Sequence, residues 1–155
     1  MALRDRFQAE LKEAMKAKDS RRVSTLRMVL AALKDKDIAA RTETSREVIG
    51  EDDVLSLLAK MVKQREESAT AFEAGGRPEL AAAEREEIAI IASFMPKQMS
   101  AEEMKSAIAA VISETGAASI KDMGKVMAAL KGRYAGQMDF AKASAVVKEL
   151  LSAPK

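Results

Sequence analysis

The sequence predicts an all-α protein: an N-terminal four-helix subdomain over residues 1–95, followed by a small three-helix bundle over residues 96–155. Three observations carry that expectation. Apolar residues recur at three- and four-residue spacing through most of the chain, and no stretch alternates in the manner of a half-buried strand. Helix punctuation falls between the periodic stretches: acid or serine caps at the starts, glycine at the stops, proline at the first turn or just past the end. The segment "MPKQMSAEEM" combines a proline stop with a new capping signal, which makes it the candidate domain boundary.

The first periodic stretch is residues 2–17, with Leu3, Phe7, Leu11 and Met15 four apart. Asp19 or Ser20 can cap a second helix whose apolar side is Val23, Leu26, Val29, Leu30 and Leu33. The polar run "RTETSREVIG" reads as a loop. The acids of "EDD" that follow suit the positive end of a third helix, which carries Val54, Leu57, Leu58, Met61, Val62 and Phe72 until Gly75 and Gly76 stop it. Pro78 opens a fourth helix at a position where its missing N–H costs nothing, and Leu80, Ile88, Ile91 and Phe94 run along it to Pro96. Ser100 and Glu103 have capping-box spacing ahead of Met104, Ile108, Val111 and Ile112, with Gly116 as the stop. Ser119 and Asp122 repeat the cap more weakly before "MGKVMAAL". Asp139 opens a last helix with Phe140, Ala143, Val147, Leu150 and Leu151 on one stripe. Met61, Met104, Met123 and Met127 fall on apolar stripes and read as core, whereas Met99 and Met138 fall in linkers and read as exposed.

Net charge is +2, unevenly spread: residues 1–50 sum to +4, residues 51–95 to −5 and residues 96–155 to +3. An anionic partner would therefore meet the ends of the chain rather than its middle. Histidine and cysteine are both absent. That removes the commonest general base, the commonest metal ligand, the thiol nucleophile and disulfides together, so no metal or cofactor is expected. Neither a P-loop nor a GxGxxG stretch is present. The carboxylate pairs Glu66-Glu67 and Glu86-Glu87 are adjacent in sequence and so point in different directions on a helix. Ser144 and Lys148 are one helical turn apart, an ordinary surface arrangement. No catalytic residue is identified. The N-terminal residues have charges every few positions and no apolar core of signal-peptide length, and no run approaches the ~20 apolar residues of a membrane helix. A cytoplasmic location, away from the membrane, is the expectation.

One stretch holds the clearest binding signal: "SIKDMGKVMAALKGRYAGQ", Ser119 to Gln137. At about 100° per residue, Lys121 and Lys125 share one side, opposite Met123, Val126, Met127 and Leu130. Lys131 lies on the flank and Arg133 in the following turn, so four cations can approach one another, with Asp122 as their nearest acid in sequence. Such a cluster suits contact with phosphates. Tyr134 can stack on a base or pack against the last helix. Gly124, in the interior of the helix, suggests close approach of a neighbouring helix or of a ligand.

The stretches "LRMVLAALK", "KQREESATAFEAGGRPELAAAEREEI", "MPKQMSAEEM" and "IKDMGKVMAALKGRYAGQMD...VVKELL" occur in order along most of the chain. Through them the sequence resembles the YqeY family, which is related to the C-terminal region of the B subunit of the glutamine-dependent aspartyl/glutamyl-tRNA amidotransferase. The resemblance implies a tRNA-binding appendage. It also brings the family label of carbon–nitrogen ligase with glutamine as amido-N-donor, a reaction for which this chain supplies no active site of its own. Carried over position by position, it makes Lys121, Lys125, Lys131 and Arg133 the candidate RNA contacts, with Lys97 and Lys142 as further candidates. Two expectations from different classes result. One is an accessory module that grips tRNA or another structured RNA by shape and phosphates. The other is a helical module that docks a protein partner and has no RNA role.

Overall fold

The computed structural model describes residues 2–152, which form seven α-helices, one short 3-10 turn and, among the described residues, no strand. Two compact units divide the chain between Met95 and Pro96.

The first unit contains α1 (Leu3–Lys16), α2 (Ser20–Ala39), α3 (Glu51–Ala74) and α4 (Pro78–Ala92). Asp19 caps α2, its carboxylate accepting the Arg22 N–H at 3.1 Å. Gly50 precedes the three acids Glu51, Asp52 and Asp53 in the first turn of α3. The α3–α4 hairpin turns at Gly76, whose φ of 73° places it in the left-handed region. The Arg77 N–H then reaches back to the Phe72 carbonyl at 2.8 Å, closing the end of α3. The core gathers Leu3, Phe7, Leu26, Val29, Leu33, Val54, Leu57, Leu58, Met61, Ile91 and Phe94, with the Phe7 and Phe94 rings edge-to-face at 4.9 Å.

Met15 departs from expectation: it is 51% exposed, and Ala14 occupies the buried position instead. A strict four-residue spacing advances the side chain by about 40° per step. By its fourth member the series has left the face on which Leu3 began, and Ala14 has rotated onto it. Phe72 is likewise only half-buried, close to the end of α3.

Polar contacts fix the irregular 41–50 segment. Arg4 donates two hydrogen bonds to Asp37, both 2.7 Å, and a third to the Ile49 carbonyl at 2.9 Å. Asp37 in turn accepts the Ile49 N–H at 3.0 Å. One bidentate pair thus joins α1, the end of α2 and the approach to α3. The hydrogen bonds from Arg4 hold the Asp37 carboxyl below its ordinary pKa, with the Ile49 amide adding to the effect. On the outer side, Arg65 donates to Glu87 at 3.1 Å and to the Met61 carbonyl at 3.0 Å, Arg21 reaches Glu86 at 3.2 Å, and Arg85 pairs with Glu73. Much of the acid in the middle of the chain is therefore matched from within the unit.

The second unit contains α5 (Ala101–Thr115), the 3-10 turn Ile120–Asp122, α6 (Met123–Tyr134) and α7 (Phe140–Ser152). Ser100 and Glu103 form the expected reciprocal cap, at 3.1 and 3.3 Å. Gly116 ends α5 with φ 69°. Ala107, Ile108, Val111, Val126, Leu130, Met138, Ala143 and Val147 form the core. Met138, expected to be exposed, is buried, and Met99 packs against the same core. The reason is a pair of contacts across sequence. Met99 N–H donates to the Gln137 carbonyl at 2.8 Å, and the Gln98 amide donates to the Gly136 carbonyl. The segment after Pro96 thus lies along the 134–138 turn and holds Met138 against the core. Gly124 also departs from expectation, since no neighbouring helix approaches it: a Cβ there would meet nothing within 4 Å.

Two outcomes are expected. Asp37→Asn should lower unfolding stability by about 1–3 kcal/mol at neutral pH. Because the folded pKa of Asp37 is depressed, its contribution is complete above the unfolded value, near 4, and fades as pH falls through the folded value. Denaturant titrations at a series of pH values should therefore show the wild-type advantage shrinking below about pH 4. Gly124→Ala should raise stability by about 0.5–1 kcal/mol in thermal unfolding, because a helical glycine with open space beside it costs backbone entropy and gains no contact.

Candidate functional site

The outward face of α6 follows from which residues its helix must bury. Val126 and Leu130 are fully enclosed, and Met123, Met127 and Ala129 flank them. The opposite side, continuous with the 3-10 turn, consists of Lys121, Gly124, Lys125, Ala128, Lys131 and Gly132, all exposed. Gly124, Ala128 and Gly132 succeed one another at four-residue intervals, and a Cβ at either glycine would meet nothing within 4 Å. The face is therefore a shallow, side-chain-poor strip bordered by lysines.

The start of this face is fixed by Asp122. Its carboxylate accepts the Ala118 N–H at 2.9 Å and the Ser119 N–H at 3.4 Å. Those two amides hold its pKa below the usual carboxylate range, and the charge of Lys125 assists. The acid closest to the lysines in sequence is thus turned back onto the preceding loop.

The individual cations differ. Lys125 donates to the Thr115 carbonyl at 3.0 Å, so it closes the end of α5 as well as presenting charge. Arg133 pairs with Glu114 at 2.5 Å, both groups about half exposed. The ammonium groups of Lys121 and Lys131 have no hydrogen bond or ion pair among the described residues. Tyr134 is half-buried and packs against the core of the unit. Lys97 lies in the segment tied to the 134–138 turn, and Lys142 is exposed in the first turn of α7. Helical register therefore gathers Lys121, Lys125 and Lys131, whereas Lys97 and Lys142 stand on other elements.

Ala128 and Gly132 were missed from sequence, although their positions four and eight residues after Gly124 could have shown the strip. Glu114 and Thr115 were missed because nothing local to them reveals that α6 returns alongside the end of α5. Among the described residues, no group of three or more acidic side chains is arranged to hold a metal ion.

Comparison with known proteins gives the chain a family. The Yqey-like protein family matches residues 4–151. Similar proteins include altered inheritance of mitochondria protein 41 of Saccharomyces cerevisiae (strain YJM789), 33% identical over 57% of this chain and 46% of that protein. The protein of the same name from Clavispora lusitaniae is 34% identical over 61% of this chain and 52% of its own length. That from Eremothecium gossypii is 35% identical over 56% and 45%. The chain spans about half the length of the curated relatives it matches. All three are named as mitochondrial proteins, which overturns the cytoplasmic location expected from the sequence. With residues 4–151 matched, nearly its whole length, the chain belongs to the YqeY family.

Proposed function

We propose that this protein is an RNA-binding accessory module that grips a structured RNA, tRNA foremost, through the outward face of α6. The supporting observation is the strip of Gly124, Ala128 and Gly132 bordered by Lys121, Lys125 and Lys131. A sugar–phosphate backbone needs both close approach and positive charge, and a smooth strip between lysines supplies both. Structured RNA is recognised largely through backbone and 2′-hydroxyl contacts, so base-reading side chains are not required. With Tyr134 packed inward, the face works by shape and charge rather than by stacking. Carbon–nitrogen ligation with glutamine as amide donor, the activity attached to the family by its resemblance to the amidotransferase, would need its catalytic groups from other subunits, since this chain has neither histidine nor cysteine.

The roles of the cations divide under this reading. Lys121 and Lys131 serve the RNA alone, Lys125 serves both RNA and the fold, and Arg133 exchanges Glu114 for a phosphate or stays paired.

Fluorescence anisotropy with labelled tRNA across a salt series tests the proposal. Affinity should fall by about 0.7–0.9 log units per phosphate contact for each log unit of salt. Lys121→Glu/Lys131→Glu should abolish binding while leaving thermal stability unchanged. Salt-independent binding, or equal binding by that variant, would remove α6 from the account. In the same series, Lys125→Ala should weaken binding and also lower unfolding stability by about 0.3–1 kcal/mol, because the end of α5 loses its cation. An unchanged melting temperature would show that the Thr115 contact has no structural weight.

A further inference from the structure

A second surface lies in the first unit, on elements that the proposed RNA face does not use. An open groove of about 410 Å³ runs between the last turn of α2 and the outer side of α3. Lys36, Ala39 and Ala40 form one wall, Asp53, Ser56, Leu57 and Lys60 the other, and Ile49 contributes from the intervening segment. The spacing explains the walls. Residues 36, 39 and 40 share one face of α2, and 53, 56, 57 and 60 share one face of α3. Ile49 is held in place through its backbone, its carbonyl by Arg4 and its N–H by Asp37. The groove is thus built by the same clamp that orders the 41–50 segment.

Its chemistry is amphipathic. Ala39, Ala40, Ile49 and Leu57 are apolar, while Lys36 and Lys60 bring one ammonium from each wall. Neither ammonium makes a hydrogen bond or ion pair among the described residues. This contrasts with Arg4, Arg21, Arg65 and Arg85 of the same unit, which are all matched by carboxylates. Beside the groove in sequence stand Ile38, 46% exposed, and Val48, 58% exposed.

We infer that this groove docks a short acidic segment of a partner protein, with an aliphatic side chain seated on Ile49 and Leu57 and flanking carboxylates paired with Lys36 and Lys60. Charge complementarity selects the occupant, because each wall carries a lysine without a side-chain partner and the lining holds two cations against the single carboxylate of Asp53. Openness selects a chain over a small molecule. Small-ligand sites enclose about 70–90% of the ligand's surface, whereas this groove is open to solvent. Asp53 on the α3 wall accepts a peptide N–H and helps set direction.

The test uses the full chain, ¹⁵N-labelled, titrated with the blocked peptide acetyl-Asp-Glu-Leu-Asp-Glu-Leu-amide and with its Asn/Gln twin of equal length. Amide shifts confined to residues 36–40 and 48–60, given by the acidic peptide and not by the twin, are expected. Lys36→Glu/Lys60→Glu should weaken the acidic peptide about tenfold or more. Both lysines are exposed, so the variant should keep the wild-type spectrum elsewhere. No shift, equal shifts with the neutral twin, or unchanged affinity in the variant would overturn the proposal. So would a short RNA oligonucleotide that shifts the same amides in place of the peptide. The peptide results do not bear on Lys121 and Lys131, and only the RNA oligonucleotide touches both readings, so this proposal can fail while the RNA reading stands.

Discussion

Each helix of the second unit must bury an apolar stripe against the other two, and this constraint determines what the unit can present to a partner. A unit of about 60 residues has little apolar surface to spare and is marginally stable on its own. Val126, Leu130, Val111, Ile108, Ala143 and Val147 are all driven to the centre. Once Val126 and Leu130 are inside, the register of α6 is set, and Lys121, Gly124, Lys125, Ala128, Lys131 and Gly132 must face outward. The proposed binding face is the remainder of a packing problem. Glycine at positions 124 and 132 does nothing for that packing, since no atom stands within 4 Å of where a Cβ would be. In a unit of such limited stability, two helix-weakening residues without a packing role suit a surface that something must approach closely.

Pairing of charges decides the rest. Cations and acids are nearly equal in number, yet they are not equally engaged. In the first unit, arginines neutralise Asp37, Glu73, Glu86 and Glu87. In the second, Asp122 is satisfied by backbone amides and Glu114 by Arg133. Lysines, with a flexible stem and a compact charge, pair less often, and those without a side-chain partner include Lys121 and Lys131 on the α6 strip and Lys36 and Lys60 at the groove between α2 and α3. One lies on a smooth, polar-bordered helix face that suits a phosphate backbone. The other borders an apolar floor that suits an aliphatic side chain between carboxylates. Under the two proposals the same residue type serves two chemistries according to what surrounds it.

Much of the fold was legible because its signals are local. Asp19, Ser100, Gly76, Gly116 and Pro78 act through neighbours within a turn, and each performs the start or stop expected of it. What the sequence hid depends on contacts between distant residues. Met138 is buried because Met99 and Gln98 bond to the turn before it. Lys125 is partly occupied because Thr115 ends a different helix beside it. Met15 and Ala14 exchanged places for a subtler reason, the 40° drift of a four-residue repeat. The candidate site was read as a set of charges, and three of those charges do share a face. Of the small residues between them Gly124 alone stands out in the sequence; Ala128 and Gly132 continue it at four-residue spacing but have no functional group to signal it.

The central claim is that the outward face of α6 is where RNA meets this protein. Amide chemical-shift mapping of the ¹⁵N-labelled chain with unlabelled tRNA at low salt reports on each position separately, and on Gly124, Ala128 and Gly132 directly. Shifts or line broadening centred on residues 121–132, strongest at the two glycines and reversed by added salt, are expected if RNA meets this face. Perturbations absent from those residues, or confined to the first unit, would contradict it.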